Sequence, residues 1–272
     1  MLSHGLLKYW WLLFQHCKVI GQRTDIFRNV EDAFTLKHAF AFVNPGEIYV
    51  DIGSGSSPLP TFIHSQRQVR TFATEMDPAY LKRQKTFMDI LGLNADAFRT
   101  QKEDATRLTF ADSSVDMVTA VSTIEHIPGN GDSLAMREFC RVLRPGGLLI
   151  VTVPTSPSYT EQASTFYYSG FERRYDRAAL QSRLFSDGLH LKEQLYLTSS
   201  VSPTSKLALD QFQEVFDGQS PVDVWYKRGW HDAYPDVSIL LTLGLIELSE
   251  TRVEESFGAC LAFVKDELRN RP

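Results

Sequence analysis

The stretch Tyr49-Val50-Asp51-Ile52-Gly53-Ser54-Gly55-Ser56-Ser57-Pro58 decides the reading of this chain. An apolar, β-branched strand runs into an acidic residue and two glycines spaced by one. Pro58 and Pro60 then suit the first turn of a helix. A strand turning sharply into a helix visits backbone angles that glycine takes most easily, and a missing Cβ lets the backbone approach a ligand closely. The segment therefore places a nucleotide-like ligand at the carboxyl edge of a sheet.

Outward from this turn, apolar β-rich runs alternate with helix-like segments. Strands are expected at Ile48–Ile52, Val69–Thr74, Ala97–Gln101, Val115–Val121 and Leu148–Val153, with helices at Pro60–Gln66, Pro78–Leu91 and Asp132–Leu143. Such alternation implies a parallel sheet with helices on both faces and right-handed crossovers. Further on, Arg177–Asp187 reads as a helix N-capped by Asp176, Gly188 as its stop, and Leu189–Leu197 and Phe257–Lys265 as strands. Between these last two, Thr204–Phe216 and Val237–Leu248 read as helices around an aromatic loop, a lid or a patch covering the sheet edge. The organisation is a helical cap over residues 1–45 and one domain over 46–272, with an insert at about 200–255.

Three further features follow the glycine turn in register. Glu75 ends the next strand, twenty residues after Gly55, where a carboxylate can accept from both hydroxyls of a ribose. Asp104 follows a third strand and suits an adenine amino group, with the adjacent amide of Ala105 meeting a ring nitrogen. Arg144-Pro145-Gly146-Gly147 is a tight turn delivering the chain into a fifth strand. Each signal alone also fits a helix cap or a plain turn; their order and spacing carry the inference.

These residues resemble the class I S-adenosylmethionine-dependent methyltransferases of the small-molecule type, with a methyltransferase-11-like domain. The matching text is Val50-Asp51-Ile52-Gly53-Ser54-Gly55, Thr74-Glu75-Met76-Asp77-Pro78, Asp104-Ala105-Thr106-Arg107-Leu108, Ser114–Val118, Ser122-Thr123-Ile124-Glu125-His126-Ile127 and Leu143–Gly147. The resemblance implies an α/β, Rossmann-like, doubly wound sheet of seven strands with the last antiparallel. It implies S-adenosyl-L-methionine as cofactor, its methionine part against Asp51, Gly53, Ser54 and Gly55. Glu75 would take the ribose, Met76 the adenine face, Asp104 and Ala105 the adenine edge, and Ser122 the floor near the sulfonium. Ser57 departs from the family pattern, where many relatives carry a third glycine.

An NAD(P)-dependent oxidoreductase would use Glu75 equally well, but Pro58 stands where its fingerprint needs a glycine. A non-catalytic cofactor-binding subunit is a second alternative. For methyl transfer to a hydroxyl or amine, a base helps remove the proton. His126 and Glu125, following the fourth strand, are the catalytic candidates, against a plain capping role. Tyr167 and Arg174 lie where the chain leaves the fifth strand and suit an acceptor, stacking on it and gripping an acidic group.

Composition bounds the rest. A net charge of -5 and a pI near 5.8 give no general attraction to phosphate backbones, which argues against nucleic acid; the acceptor expected instead is a small-molecule or glycan hydroxyl, with amine or carbon acceptors as the alternatives. Cys17, Cys140 and Cys260 are scattered without metal spacing and read as free thiols in a reducing compartment, hence the cytoplasm. The run Leu6–Phe14 is too short to span a bilayer and lacks a cleavage site. It reads as an amphipathic helix packed on the protein's own core, or as a membrane-interface or homodimer helix through Trp10-Trp11.

Overall fold

The computed structural model describes residues 4–22, 28–163, 170–199 and 246–267. The chain begins with α1 (His4–Ile20) and α2 (Arg28–Phe42). It then alternates β1 (Ile48–Ile52), α3 (Leu59–Arg67), β2 (Arg70–Glu75), α4 (Pro78–Leu91), β3 (Phe98–Lys102) and β4 (Val115–Val121). α5 (Gly131–Val142) leads into β5 (Leu143–Pro154), and a small hairpin follows, β6 (Thr160–Ala163) and β7 (Phe171–Arg174). A three-residue helix, α6 (Arg177–Ala179), precedes β8 (Leu189–Ser199), β9 (Ile246–Ser249) and β10 (Ser256–Lys265).

The main sheet has the order β3-β2-β1-β4-β5-β10-β8-β9. Strands β3, β2, β1, β4 and β5 are mutually parallel, and β10 enters antiparallel between β5 and β8. This is the doubly wound sheet with a reversed final strand that the family resemblance implied. An eighth strand is added at the edge, where β9 pairs antiparallel with β8, Leu248 opposite Leu197. Ile246–Leu248, expected as the end of a helix, are thus extended. Residues 200–245 of the insert, with the helix expected at Thr204–Phe216 and the aromatic loop, lie outside the described residues.

Side-chain alternation along the strands divides the interior into two cores. Val50, Ile52, Val118, Leu149, Val151 and Leu261 face α5. Tyr49, Met117, Leu148, Ile150 and Cys260 face α1, α2 and α3. On α1, the Leu6, Trp10, Leu13, Phe14 and Cys17 side chains are buried there, which supports the core-packing reading of the N-terminal run. Trp11, Leu12 and Val19 remain exposed. Among the described residues, no helix is long and apolar enough to cross a membrane.

Local chemistry sets the helix boundaries. Asp77 caps α4 by accepting from the Ala79 amide at 2.8 Å, and Gly92 ends it in the left-handed region. Asp176 caps α6 as expected, accepting from Ala179. The longer helix expected there is instead three residues followed by a π-turn over Leu180–Leu184. The Arg144–Gly147 turn sits at the amino end of β5, away from the site. There Arg144 pairs with Asp116, which also accepts from the Ile48 amide at 2.8 Å.

Phe34 is fully buried on α2, its ring in tilted contact with that of His38. Phe34→Ala should cost about 3–5 kcal/mol of unfolding free energy, measured by urea denaturation of the whole chain. A near-neutral result would show that α2 is not packed on the sheet as described.

Candidate active site

The carboxyl ends of the parallel strands converge, as they do wherever an open α/β sheet binds a ligand. At the end of β1, Gly53 and Gly55 both have positive φ, +67° and +49°. A Cβ on Gly53 would lie 2.2 Å from Thr123 Cγ2, so the close packing of the β1 and β4 ends requires glycine there. A Cβ on Gly55 would meet only the Gly53 carbonyl, at 3.9 Å; that side of the loop is open. Ser57 accepts from the Leu59 amide at 3.2 Å and starts α3, which accommodates the absence of a third glycine.

Asp51 is buried, its Oδ1 accepting from the hydroxyls of Thr119 and, at 3.3 Å, Tyr49. Burial raises its pKa to about 6 despite these donors. Glu75 faces the loop with both oxygens: Oε2 accepts from the Gly55 amide at 3.1 Å and Oε1 from the Met76 amide at 2.7 Å. A carboxylate oxygen accepts more than one hydrogen bond, so each retains capacity for a ligand hydroxyl. Gln84 on α4, not anticipated from sequence, donates to the carbonyls of Gly55 at 3.2 Å and Ser57 at 2.9 Å and braces the loop.

Further along the edge, Met76 is exposed and Ala105 buried. Asp104 is exposed, its Oδ1 held by the Thr106 amide at 2.8 Å. Ser122 ends β4 with φ of +44°, a conformation rare for a side chain other than glycine. Its amide donates to the Thr152 carbonyl at 3.0 Å and its hydroxyl to Glu31 Oε1 at 3.2 Å. Glu31 also pairs with Arg28 at 2.5 Å. Sequence reading missed this contribution from α2; the signal was polar residues, Asn29, Glu31 and Asp32, on a helix that buries them all.

Glu125 and His126 follow directly. Glu125 is buried, its Oε2 lacks a hydrogen-bond partner, and desolvation pushes its pKa up to about 8. His126 Nδ1 lies 3.0 Å from the Phe171 carbonyl. A carbonyl only accepts, so Nδ1 carries the proton and Nε2 is the acceptor nitrogen. That Nε2 is 3.6 Å from Glu125 Oε1, and burial lowers the imidazole pKa. Arg174 is largely exposed and pairs with Glu172 at 3.4 Å. Tyr167 lies outside the described residues.

Residues 50–151 match the family model described as a methyltransferase domain. This segment is similar to the class I S-adenosylmethionine-dependent methyltransferase domains. The methyltransferase GfsG of Streptomyces halstedii is 28% identical over 152 residues, 52% of this chain, and the chain spans about half of that relative, 54%. A geranyl diphosphate C-methyltransferase from Streptomyces coelicolor A3(2), solved with Mg2+, geranyl diphosphate and S-adenosyl-L-homocysteine, superposes with a TM-score of 0.56 at 14% identity. The superposition covers 92% of this chain and 83% of that one. The [4+2]-cyclase SpnF gives 0.56 at 18% identity, covering 96% and 94%. These likenesses carry the fold; chemistry has to be argued from the site.

This edge offers features that S-adenosylmethionine can use: backbone open to a ligand at Gly55, carboxylate acceptors at Glu75, and exposed side chains at Met76 and Asp104. Glu75→Ala should weaken S-adenosylmethionine binding about tenfold or more by isothermal titration, and an unchanged affinity would remove Glu75 from the ribose. Gly53→Ala should fail on sterics, losing both affinity and thermal stability, whereas Gly55→Ala, strained by its positive φ but meeting no side chain, should lose less thermal stability than Gly53→Ala while still losing affinity.

Proposed function

We propose that the chain transfers a methyl group from S-adenosylmethionine to a hydroxyl of a small molecule or glycan, by in-line displacement. The single observation behind the catalytic half of this reading is the Glu125–His126 pair set at the end of β4, next to Ser122. Asp51, Gly53, Ser54 and Gly55 would hold the methionine part, Glu75 the ribose, and Met76, Asp104 and Ala105 the adenine, with Ser122 beneath the sulfonium. The cofactor supplies an electrophilic methyl on a leaving group that needs no protonation. The chain has to bring the acceptor oxygen to about 3 Å from it and take up its proton.

His126 Nε2 is the atom assigned to that proton, since Nδ1 is engaged by the Phe171 carbonyl. Its lowered pKa makes it a weak base when Glu125 is neutral. Once Glu125 ionises, its carboxylate 3.6 Å away stabilises the imidazolium that forms. Arg174, on β7, and Tyr167 are the residues proposed for the acceptor itself.

The test is release of S-adenosylhomocysteine over a panel of hydroxylated small molecules and glycans; turnover confined to amines would overturn the hydroxyl reading. With a working acceptor, His126→Ala should lower turnover about a hundredfold or more while cofactor affinity holds. The pH dependence has a definite sign. Glu125 is neutral below its pKa of about 8 and charged above it, so turnover should climb through pH 8. Glu125→Gln should abolish that climb, and a Gln variant that keeps it would exclude Glu125 from the proton's path.

A further inference from the structure

We propose that the buried Arg173–Asp132 pair is a positioning device for His126, clamping the β6–β7 hairpin to the loop after β4 and so fixing which imidazole nitrogen carries the proton.

Among the described residues of β6 and β7, the buried anchor is Arg173. Every residue of β6 is exposed, and within β7 only Arg173 is buried, with no exposed surface at all. That guanidinium reaches the residues directly following the histidine: Nη2 donates to the Ile127 carbonyl at 2.5 Å and to the Gly129 carbonyl at 3.1 Å. Nη1 lies 2.6 Å from Asp132 Oδ2, an ion pair without hydrogen-bond alignment. In return, β7 offers the Phe171 carbonyl to His126 Nδ1. Hairpin and loop are thus joined by reciprocal bonds, side chain to backbone in both directions.

Asp132 is built to hold this guanidinium. It is fully buried on the first turn of α5 and accepts from the Tyr175 hydroxyl at 2.9 Å. A second cation, Arg183, grips it through Nε at 2.7 Å and Nη2 at 2.8 Å, and its Nη2 also reaches the Gly129 carbonyl at 2.6 Å. Desolvation opposes ionisation of Asp132, yet the two guanidinium groups and the tyrosine together hold its pKa below the usual range.

A buried ion pair is poor value as a source of stability, because apolar residues of similar volume generally do as well or better. What such a pair provides is a fixed geometry. Here the geometry holds the Phe171 carbonyl, the backbone acceptor at His126 Nδ1. A planar fork spanning two carbonyls and a carboxylate also requires arginine; lysine cannot present that pattern.

The test is ¹⁵N NMR of the histidine side chains in the full chain, with His126 assigned by the loss of its signals in His126→Ala. The wild type should show protonated Nδ1 and unprotonated Nε2 at His126 near pH 7.5; the reverse tautomer would overturn the proposal outright. Arg173→Met should release the imidazole into a mixture of tautomers, and Arg173→Lys should not restore it. A folded Arg173→Met protein with the wild-type tautomer would exclude the clamp. Should that variant fail to fold, Asp132→Asn, which keeps the shape of the side chain, decides by the same spectrum. The link to turnover rests on His126 as proton acceptor. Failure of that reading would appear separately, as full activity in His126→Ala with the tautomer still fixed in the wild type.

Discussion

One buried residue, Asp51, ties the ends of three strands into a single rigid edge through its carboxyl group and its backbone carbonyl. Placing a carboxyl out of water costs free energy unless it is hydrogen-bonded, and the fold meets that requirement from its neighbours. Thr119 on β4 and Tyr49 on β1 donate to the side chain. The Asp51 carbonyl accepts from Thr74 on β2 at 2.8 Å and from Ser54 at 3.2 Å, and the Ser54 amide donates to the Thr74 carbonyl at 2.9 Å. With β1, β2 and β4 locked in register, the glycine turn has one path, between Thr123 on one side and Glu75 on the other. The cofactor edge is therefore preorganised before any ligand arrives.

That rigidity explains why the center of the molecule was legible in its sequence. Strands buried on both faces must be continuous apolar runs, and β1 and β4 fall at the residues the runs marked. The carboxylates of the cofactor edge were legible for a related reason, since each must follow a strand at a distance set by the crossover. The edge strand β9 was not. Ile246 and Leu248 are apolar in any conformation, and only pairing with β8, some fifty residues earlier in the chain, makes them extended. The helix expected after Asp176 failed differently: its cap formed, but the chain left α-geometry after one turn.

At the site, what escaped sequence reading is what depends on distant contacts or on backbone atoms. Ser122 and Glu31 meet across ninety-one residues, and His126 and the Phe171 carbonyl across forty-five. A carbonyl has no residue-type signature at all. Arg173 and Arg174 are adjacent and identical on paper, and Arg174 was the one assigned to an acceptor. In the fold they part company: Arg173 is wholly buried against Asp132, and Arg174 faces outward beside Glu172. Strand alternation places neighbours on opposite faces, but which face is inside depends on the register of the hairpin.

The same accounting of partners sets Glu125 apart from the other acids around it. Glu31 has Arg28 and Ser122, Glu172 has Arg174, Glu75 has loop amides, and Asp132 has two guanidinium groups. Glu125 is as deeply buried as Asp132, yet its pKa moves the opposite way. Arg28 favours its ionised form, but that cation is already engaged by Glu31, and the charges of Glu31 and Glu172 oppose ionisation. Desolvation therefore prevails at Glu125 and fails at Asp132, for want of a cation of its own. The result is a neutral carboxyl beside a neutral imidazole whose Nδ1 is pinned. A negative charge at Glu125 and a positive one at His126 Nε2 would each lower the cost of the other. Once Glu125 has lost its proton to solvent, its carboxylate would favour the imidazolium that forms if His126 Nε2 takes up a proton from an acceptor.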